Sequence, residues 1–218
     1  MGSAPLLAAD YPARPVTIIV ASTPGGGTDI VSRIVGEQLS KQLGQPFVVQ
    51  NLPGAGSLTG TEVAAKAAPD GYTLQTGLNA SMAVNPSLFA HMPYDPIADF
   101  APVGMMAQFP FAIVVSNKFP AHSITELIAM AKARPGAINY ASAGIGTGQQ
   151  LSMELFKLVT GTNFTHVAYR GAAPAYTDVI SGQVPVFFDN LASALGQIKG
   201  GSVRALAVTS KSRSPLLP

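Results

Sequence analysis

The sequence predicts an α/β protein with mainly parallel sheets. Three observations lead there. Short β-rich apolar runs alternate along the chain with stretches of helical periodicity. Glycine-rich turns stand where a strand hands over to a helix, and they do so in both halves. The chain is also 47% hydrophobic and only 11% charged, a balance that calls for a heavily buried core. Its 218 residues suffice for one or two domains.

Residues 15–21 form the first predicted strand, and 23–29 a glycine turn. Residues 30–43 carry apolar side chains at Ile30, Ile34, Val35, Leu39 and Leu43, a helical spacing closed by Gly44 as the C-terminal glycine. A second strand over 46–50 leads into the glycine-rich loop 51–60, a short helix over 61–67, a turn at Pro69-Asp70-Gly71 and a third strand over 72–77. This is the βαβαβ order of a doubly wound sheet. Residues 85–100 are rich in proline and turn formers and read as a long surface connection. Strands are predicted over 102–107 and 111–116, the latter crossing between two α/β sets.

The second set repeats the scheme. Ser123 caps a helix over 124–133, with Glu126 in the capping-box position. Strands over 138–142, 164–169, 184–188 and 203–210 alternate with helices over 149–160, 174–181 and 191–199. Gly161 and Gly182 close two of those helices, and Pro174 suits a first helical turn.

Several functions are disfavoured. The 13 Lys and Arg residues are scattered and the net charge is only +2, so no basic stripe for nucleic acid is visible. No apolar run approaches the roughly 18 to 20 residues of a spanning helix. With no cysteine there is no disulfide, thiolate metal site or cysteine nucleophile. His91, His122 and His166 lie far apart and read as surface or packing residues rather than metal ligands. The spacing Gly54-x-Gly56-x-x-x-Gly60 departs from the dinucleotide fingerprint, and no acid follows the second strand to hold a ribose. No phosphate loop, Gly-x-Ser-x-Gly elbow or nucleophile–base pair can be assembled. No catalytic residue, metal or cofactor is expected.

What remains is a set of turns at the carboxyl ends of strands, where open α/β sheets bind ligands. The first is Pro24-Gly25-Gly26-Gly27-Thr28-Asp29 and the second Gly144-Ile145-Gly146-Thr147-Gly148. Each opens a helix whose unpaired N–H groups and positive dipole end suit an anion. A third turn, around Arg170 and Gly171, adds a positive charge. Asn79 and Ser81 follow the third strand and offer side-chain hydrogen bonds. Asp189 and Asn190 end a strand of the second half; Asp189 either orients a ligand N–H or hydroxyl or caps the next helix. Asp29 has two readings, a structural one as helix cap in place of Thr28 and a cation-recognising one. Asn51 and Gly54-Ala55-Gly56 either line the cleft or brace it.

Longer motifs carry a resemblance. Tyr11-Pro12-x-Arg14-Pro15, Pro24-Gly25-Gly26-x-x-Asp29, Asn51-x-x-Gly54-Ala55-Gly56, Asp70-Gly71-Tyr72-Thr73-Leu74 and Asn85-Pro86-Ser87-Leu88 stand in the first half. Pro93-Tyr94-Asp95-Pro96-x-x-Asp99-Phe100, Val167-Ala168-Tyr169-Arg170-Gly171-x-Ala173-Pro174-Ala175, Gly182-Gln183-Val184, Phe188-Asp189-Asn190 and Arg204-Ala205-Leu206-Ala207-Val208-Thr209 follow. In these motifs the chain resembles the Bug-type (Bordetella uptake gene) periplasmic solute receptors of tripartite tricarboxylate transporters. The resemblance implies a two-lobed Venus-flytrap architecture. It implies a small carboxylate held by the 24–28 and 144–148 turns, partly through water, and handed to a membrane permease without chemistry. One departure is visible: relatives carry Ser-x-x-His-Leu after the second turn, where this chain has Thr147-Gly148-Gln149-Gln150-Leu151.

The expected organisation follows. Residues 1–10 hold an expression-vector scar, Met1-Gly2-Ser3, and a disordered remnant or signal-peptide tail. Residues 11–107 form the first lobe and 108–210 the second, with hinge-crossing strands near 111–116 and 203–210. Residues 211–218 begin a return to the first lobe, which the resemblance implies is incomplete here. The expected location is the periplasm, the signal peptide having been removed. A monomer is expected for a full-length chain, and a weakly binding, dimerising or strand-exchanging species for this one. The alternatives are an α/β enzyme acting on an anionic metabolite, or a ligand sensor without a transport role.

Overall fold

β1 (Val16–Val20) reads Val-Thr-Ile-Ile-Val, β-branched at every position, and such side chains lose little by standing on a pleated sheet. In the computed structural model, which describes residues 11–217, this strand is the centre of a three-stranded parallel sheet. β2 (Phe47–Asn51) and β3 (Thr73–Gln75) flank it in the order β2-β1-β3. The expectations for residues 1–10 and for Pro218 lie outside the described residues. α1 (Gly27–Leu43) packs through Gly36, where an added Cβ would stand 3.2 Å from Ile18 and from the Phe47 carbonyl. α2 (Leu58–Ala65) comes still closer at Gly60, where a Cβ would meet the Leu52 carbonyl at 2.5 Å and Ala21 at 2.9 Å.

The second sheet runs β6-β5-β7-β4-β8. Its parallel part is β5 (Asn139–Ser142), β6 (Thr165–Ala168) and β7 (Val186–Asn190). β4 (Phe111–Ser116) lies antiparallel to both β7 and β8 (Val203–Val208). Both faces are buried, as expected of a sheet covered by helices on each side. Ala112 and Val114 join one core with Tyr176, Phe187 and Leu191. Ile113 and Val115 join the other with Leu127, Tyr140 and Met153. The covering helices are α4 (Ile124–Ala133), α5 (Gly148–Thr160), α6 (Ala172–Ser181) and α7 (Leu191–Lys199), α3 (Asn85–Leu88) being a single turn in the first lobe. Gly44, Gly161 and Gly182 end their helices in the left-handed conformation, and Ser123 accepts from the Glu126 N–H, as the sequence predicts. The β4–β8 pairing extends one step further, where Phe111 and Thr209 exchange two hydrogen bonds of 2.9 Å.

Two expectations are corrected. Residues 102–107 are exposed and form no strand. The segment does not pair with β3, which remains the edge strand of the first sheet, and it carries Pro102 and Gly104, two residues that disfavour a strand. Residues 85–100 are not a mere surface connection. Residues 80–84 form a π-helical turn and 85–88 a helical one, Asn85 is buried, and the Tyr94 hydroxyl donates to the Ser81 carbonyl at 2.8 Å. At the far end, Leu217 packs against the core of the second lobe.

Asp29 knots the first lobe together. It is 3% exposed. It accepts from Arg33 Nε at 3.1 Å, from Asn51 Nδ2 at 2.9 Å and from the Gly25 N–H at 2.9 Å. Neither it nor Thr28 caps α1, whose N-cap is Gly26 without a side-chain bond. Burial alone would raise the Asp29 pKa. The hydrogen bonds from Arg33, Gly25 and Asn51, with the Arg33 charge, outweigh it and hold the group below its ordinary 3.8.

Two stability predictions follow from this packing. Gly60→Ala is expected to cost about 1–3 kcal/mol, read as a lower urea midpoint, because backbone on both sides blocks the new methyl. The advantage of wild type over Asp29→Asn is expected to be fully present above the unfolded carboxylate pKa and lost as pH falls through the depressed folded value. Urea midpoints across an acid pH series measure it; an advantage that grows with acid would contradict this account.

Candidate ligand-binding site between the lobes

A cavity of about 670 Å³ lies between the carboxyl ends of the two sheets. That is within the range of small-molecule sites. Five helices begin at its wall: α1 presents Thr28, α2 begins after Ser57, α5 presents Gly148 and Gln149, α6 begins after Gly171, and α7 after Asn190. First-turn N–H groups have no partner inside their own helix. The positive dipole ends therefore converge on one space. Among the described residues, Arg170 is the single charged side chain lining it. Phe89, Phe109, Phe111, Ile145 and Tyr169 supply apolar wall.

The two glycine turns share one backbone path. Gly25 and Gly146 are left-handed, with φ of 80° and 77°. Gly26 and Thr147 follow as extended N-caps, with φ/ψ of −75°/161° and −69°/156°. In each turn the side chain four residues beyond the left-handed glycine folds back to its N–H. Gly25 donates to Asp29 Oδ2 at 2.9 Å, and Gly146 to Gln150 Oε1 at 2.7 Å. These two amides are thereby taken up by their own helices, and no side chain caps the starts of α1 and α5.

Elsewhere glycine lets the lobes touch. A Cβ on Gly171 would stand 1.9 Å from Thr23 Oγ1, one on Gly56 2.8 Å from the Ile145 carbonyl, and one on Gly27 3.1 Å from Asn190. A Cβ on Gly148 would meet Phe111 at 2.7 Å and Asn79 at 2.9 Å. Ser22 Oγ, beside the cavity, and Thr23 Oγ1 are buried without hydrogen-bond partners.

Of the residues singled out in the sequence, Thr28, Asn79, Gly144, Ile145, Thr147, Gly148, Arg170, Gly171 and Asn190 line this space together. Pro24, Gly25, Gly26, Gly27, Ser81, Gly146 and Asp189 stand behind it. Ser81 is fully buried and bonds the Leu78 backbone. Asp189 is fully buried too, and does not cap α7. It accepts from Gln149 Nε2 at 3.1 Å, from the Tyr176 hydroxyl at 2.9 Å and from Ser193 Oγ. Burial raises its pKa, and the bonds from Ser193, Gln149 and Tyr176 oppose that rise. Its effect on the cavity passes through Gln149. Gly54-Ala55-Gly56 line the wall, whereas Asn51 braces it by donating to the Ser22 carbonyl at 3.1 Å and to Asp29.

Gln149, Ser22 and residues 108, 109 and 111 were missed from sequence as wall residues, and Tyr169, although part of the third turn, was given no role. For Tyr169 the signal was its place beside Arg170. Its hydroxyl donates to Asp178 at 2.5 Å, and burial with that carboxylate pushes its pKa up to about 12. Among the described residues, no group of His, Asp and Glu could hold a metal ion.

Comparison with known proteins agrees with this architecture. Residues 31–218 match the family described as tripartite tricarboxylate transporter family receptor. Protein BugT of Bordetella pertussis is 41% identical over 99% of this chain and 67% of its own length. A Pseudomonas protein from a tcbD-tcbE intergenic region is 36% identical over 95% of the chain and 62% of its own length. The chain thus spans about two thirds of these relatives. An R. palustris protein solved with adipate shares 37% identity at a TM-score of 0.90, over 93% of this chain and 68% of that one. MatC of Rhodopseudomonas palustris with bound malate shares 31% at 0.86, over 94% and 70%. The two-lobed α/β fold of periplasmic binding proteins is therefore shared, and the chain belongs to the Bug-type receptor family of tripartite tricarboxylate transporters, a receptor family and not an enzyme family.

Proposed function

We propose that this chain captures a small organic carboxylate between its lobes, in the periplasm, for delivery to the permease of a tripartite tricarboxylate transporter. The observation that carries this reading is the convergence of five helix N-termini and Arg170 on a cavity whose lining, among the described residues, holds no acidic side chain. The carboxylate oxygens accept from the helix-start amides of α1 and α5. Those donors are fixed before the ligand arrives, so little ordering cost falls on binding. Arg170 adds a charge-assisted bond from the third turn. Aromatic and aliphatic wall residues cover the carbon skeleton, at about 0.8 kcal/mol per buried methylene. The family membership and the adipate- and malate-bound relatives support the same class of ligand.

The test uses adipate, malate and the uncharged diamide of adipate in a thermal-shift series. Adipate or malate is expected to raise the melting temperature, with about 2.7 kcal/mol of stabilisation at a hundredfold excess over Kd, and the diamide to leave it unchanged. An equal shift from the diamide would contradict an anion site. Gly148→Val is expected to lower affinity by tenfold or more, about 1.4 kcal/mol or greater, since its side chain enters the space of Phe111 and Asn79. Arg170→Ala is expected to cost less. The reverse order, by calorimetry, would mean that charge rather than backbone donors supplies the hold.

A further inference from the structure

The brace on the second turn continues into a half-buried chain of hydrogen bonds. Gln150 Oε1 takes the Gly146 N–H at 2.7 Å, so its Nε2 is the atom that faces His166 Nδ1 at 3.3 Å. An amide nitrogen only donates, so Nδ1 must accept, and the imidazole proton sits on Nε2. His166 Nε2 lies 2.6 Å from Ser142 Oγ. Ser142 Oγ in turn donates to the Gly144 carbonyl and accepts from the Gly144 N–H, each at 3.1 Å. Every donor in this chain has an acceptor, and only one tautomer of neutral His166 satisfies it. The ring is stacked on Tyr140, with centroids 4.8 Å apart.

We propose that Gln150 and His166 are positioning residues which couple the shape of the Gly144–Gly148 turn to a single proton. A proton added to Nδ1 would face the Gln150 amide donor. Turning the Gln150 amide over satisfies His166 but sets Nε2 against the Gly146 N–H, donor against donor. Left unturned, the amide keeps Gly146 but sets N–H against N–H; turned, it relieves His166 and loses the bond that fixes Gly146, so that the start of α5 is no longer held. The first turn has no such sensitivity, because Asp29 fills the matching place and is paired with Arg33.

The groups around His166 are few. Tyr140 faces it from β5, and Glu154 and Lys157 from α5. Residues 143–147 of the turn carry no titratable side chain, and β6 is the edge strand of its sheet. Burial lowers the His166 pKa, Glu154 raises it and Lys157 lowers it, with a net value below the ordinary 6.5. The neutral, braced state therefore prevails at neutral pH, and the brace opens as the solution becomes mildly acidic.

The test is nuclear magnetic resonance of the unliganded chain across pH 5 to 8. The Gly146 and Thr147 amide signals are expected to move with the same midpoint as the His166 ring. In Gln150→Leu they are expected to stay still while the ring titrates. In Gln150→Glu the His166 midpoint is expected to rise, because a carboxylate serves both Gly146 and an imidazolium. His166→Gln, which folds without a titrating group, is expected to remove the pH dependence. Amides that stay still in wild type while His166 titrates, or that keep its midpoint in Gln150→Leu, would overturn the proposal.

The consequence for ligand rests on the carboxylate reading. Adipate affinity, corrected for adipate's own ionisation, is expected to fall below the midpoint by up to tenfold per pH unit, the limit for one linked proton. If adipate and the other acids fail to bind at any pH, the carboxylate reading fails and the amide shifts still decide the coupling.

Discussion

The constraint on which the structure depends is the meeting of five helix starts at one cavity. A helix start carries amide hydrogens that its own ladder cannot use. Buried without a partner, each would cost about 1–3 kcal/mol. A fold that turns several of them toward one enclosed space must give them water or an anion. The remaining features serve that arrangement. β-branched strands hold the sheets, glycines bring the turns and lobes into contact, and acidic side chains are kept off the wall. Of the carboxylates next to the site, Asp29 stands off the wall and is paired with Arg33, and Asp189 is buried among Gln149, Tyr176 and Ser193.

The two turns solve one local problem with different chemistry. A left-handed glycine before an extended N-cap leaves an amide pointing back along the helix, and a side chain four residues later takes it up. In the first lobe that side chain is an aspartate locked by Arg33 and Asn51, which makes the turn insensitive to pH above the carboxylate range. In the second lobe it is a glutamine whose other end rests on a histidine. Matched backbones with unmatched supports mean that the lobes need not respond alike to acid or to mutation.

Much of the fold was legible in the sequence. The Val-Thr-Ile-Ile-Val run, the closing glycines at 44, 161 and 182, and the Ser123–Glu126 capping pair are local signals, and the structure honours each. Residues 102–107 misled because their apolar side chains suggested a strand, whereas Pro102 and Gly104 weaken one and the segment stays exposed and unpaired. The glycine turns were recognised as a site from their composition. Which of their amides face inward depends on the side chains of Asp29 and Gln150 at the next helical turn, and that cannot be read from the glycines alone. Asp189 looked like a cap because it precedes a helix. Its burial among Gln149, Tyr176 and Ser193 is a tertiary fact that spacing does not announce.

The central claim is that backbone amides at the helix starts, more than side-chain charge, hold the ligand. Mapping amide chemical-shift changes on addition of adipate tests it most directly. The account predicts the largest downfield shifts at Thr28, Gly148 and Gln149, in both lobes at once. Shifts confined to the surroundings of Arg170, with those three amides unmoved, would contradict it.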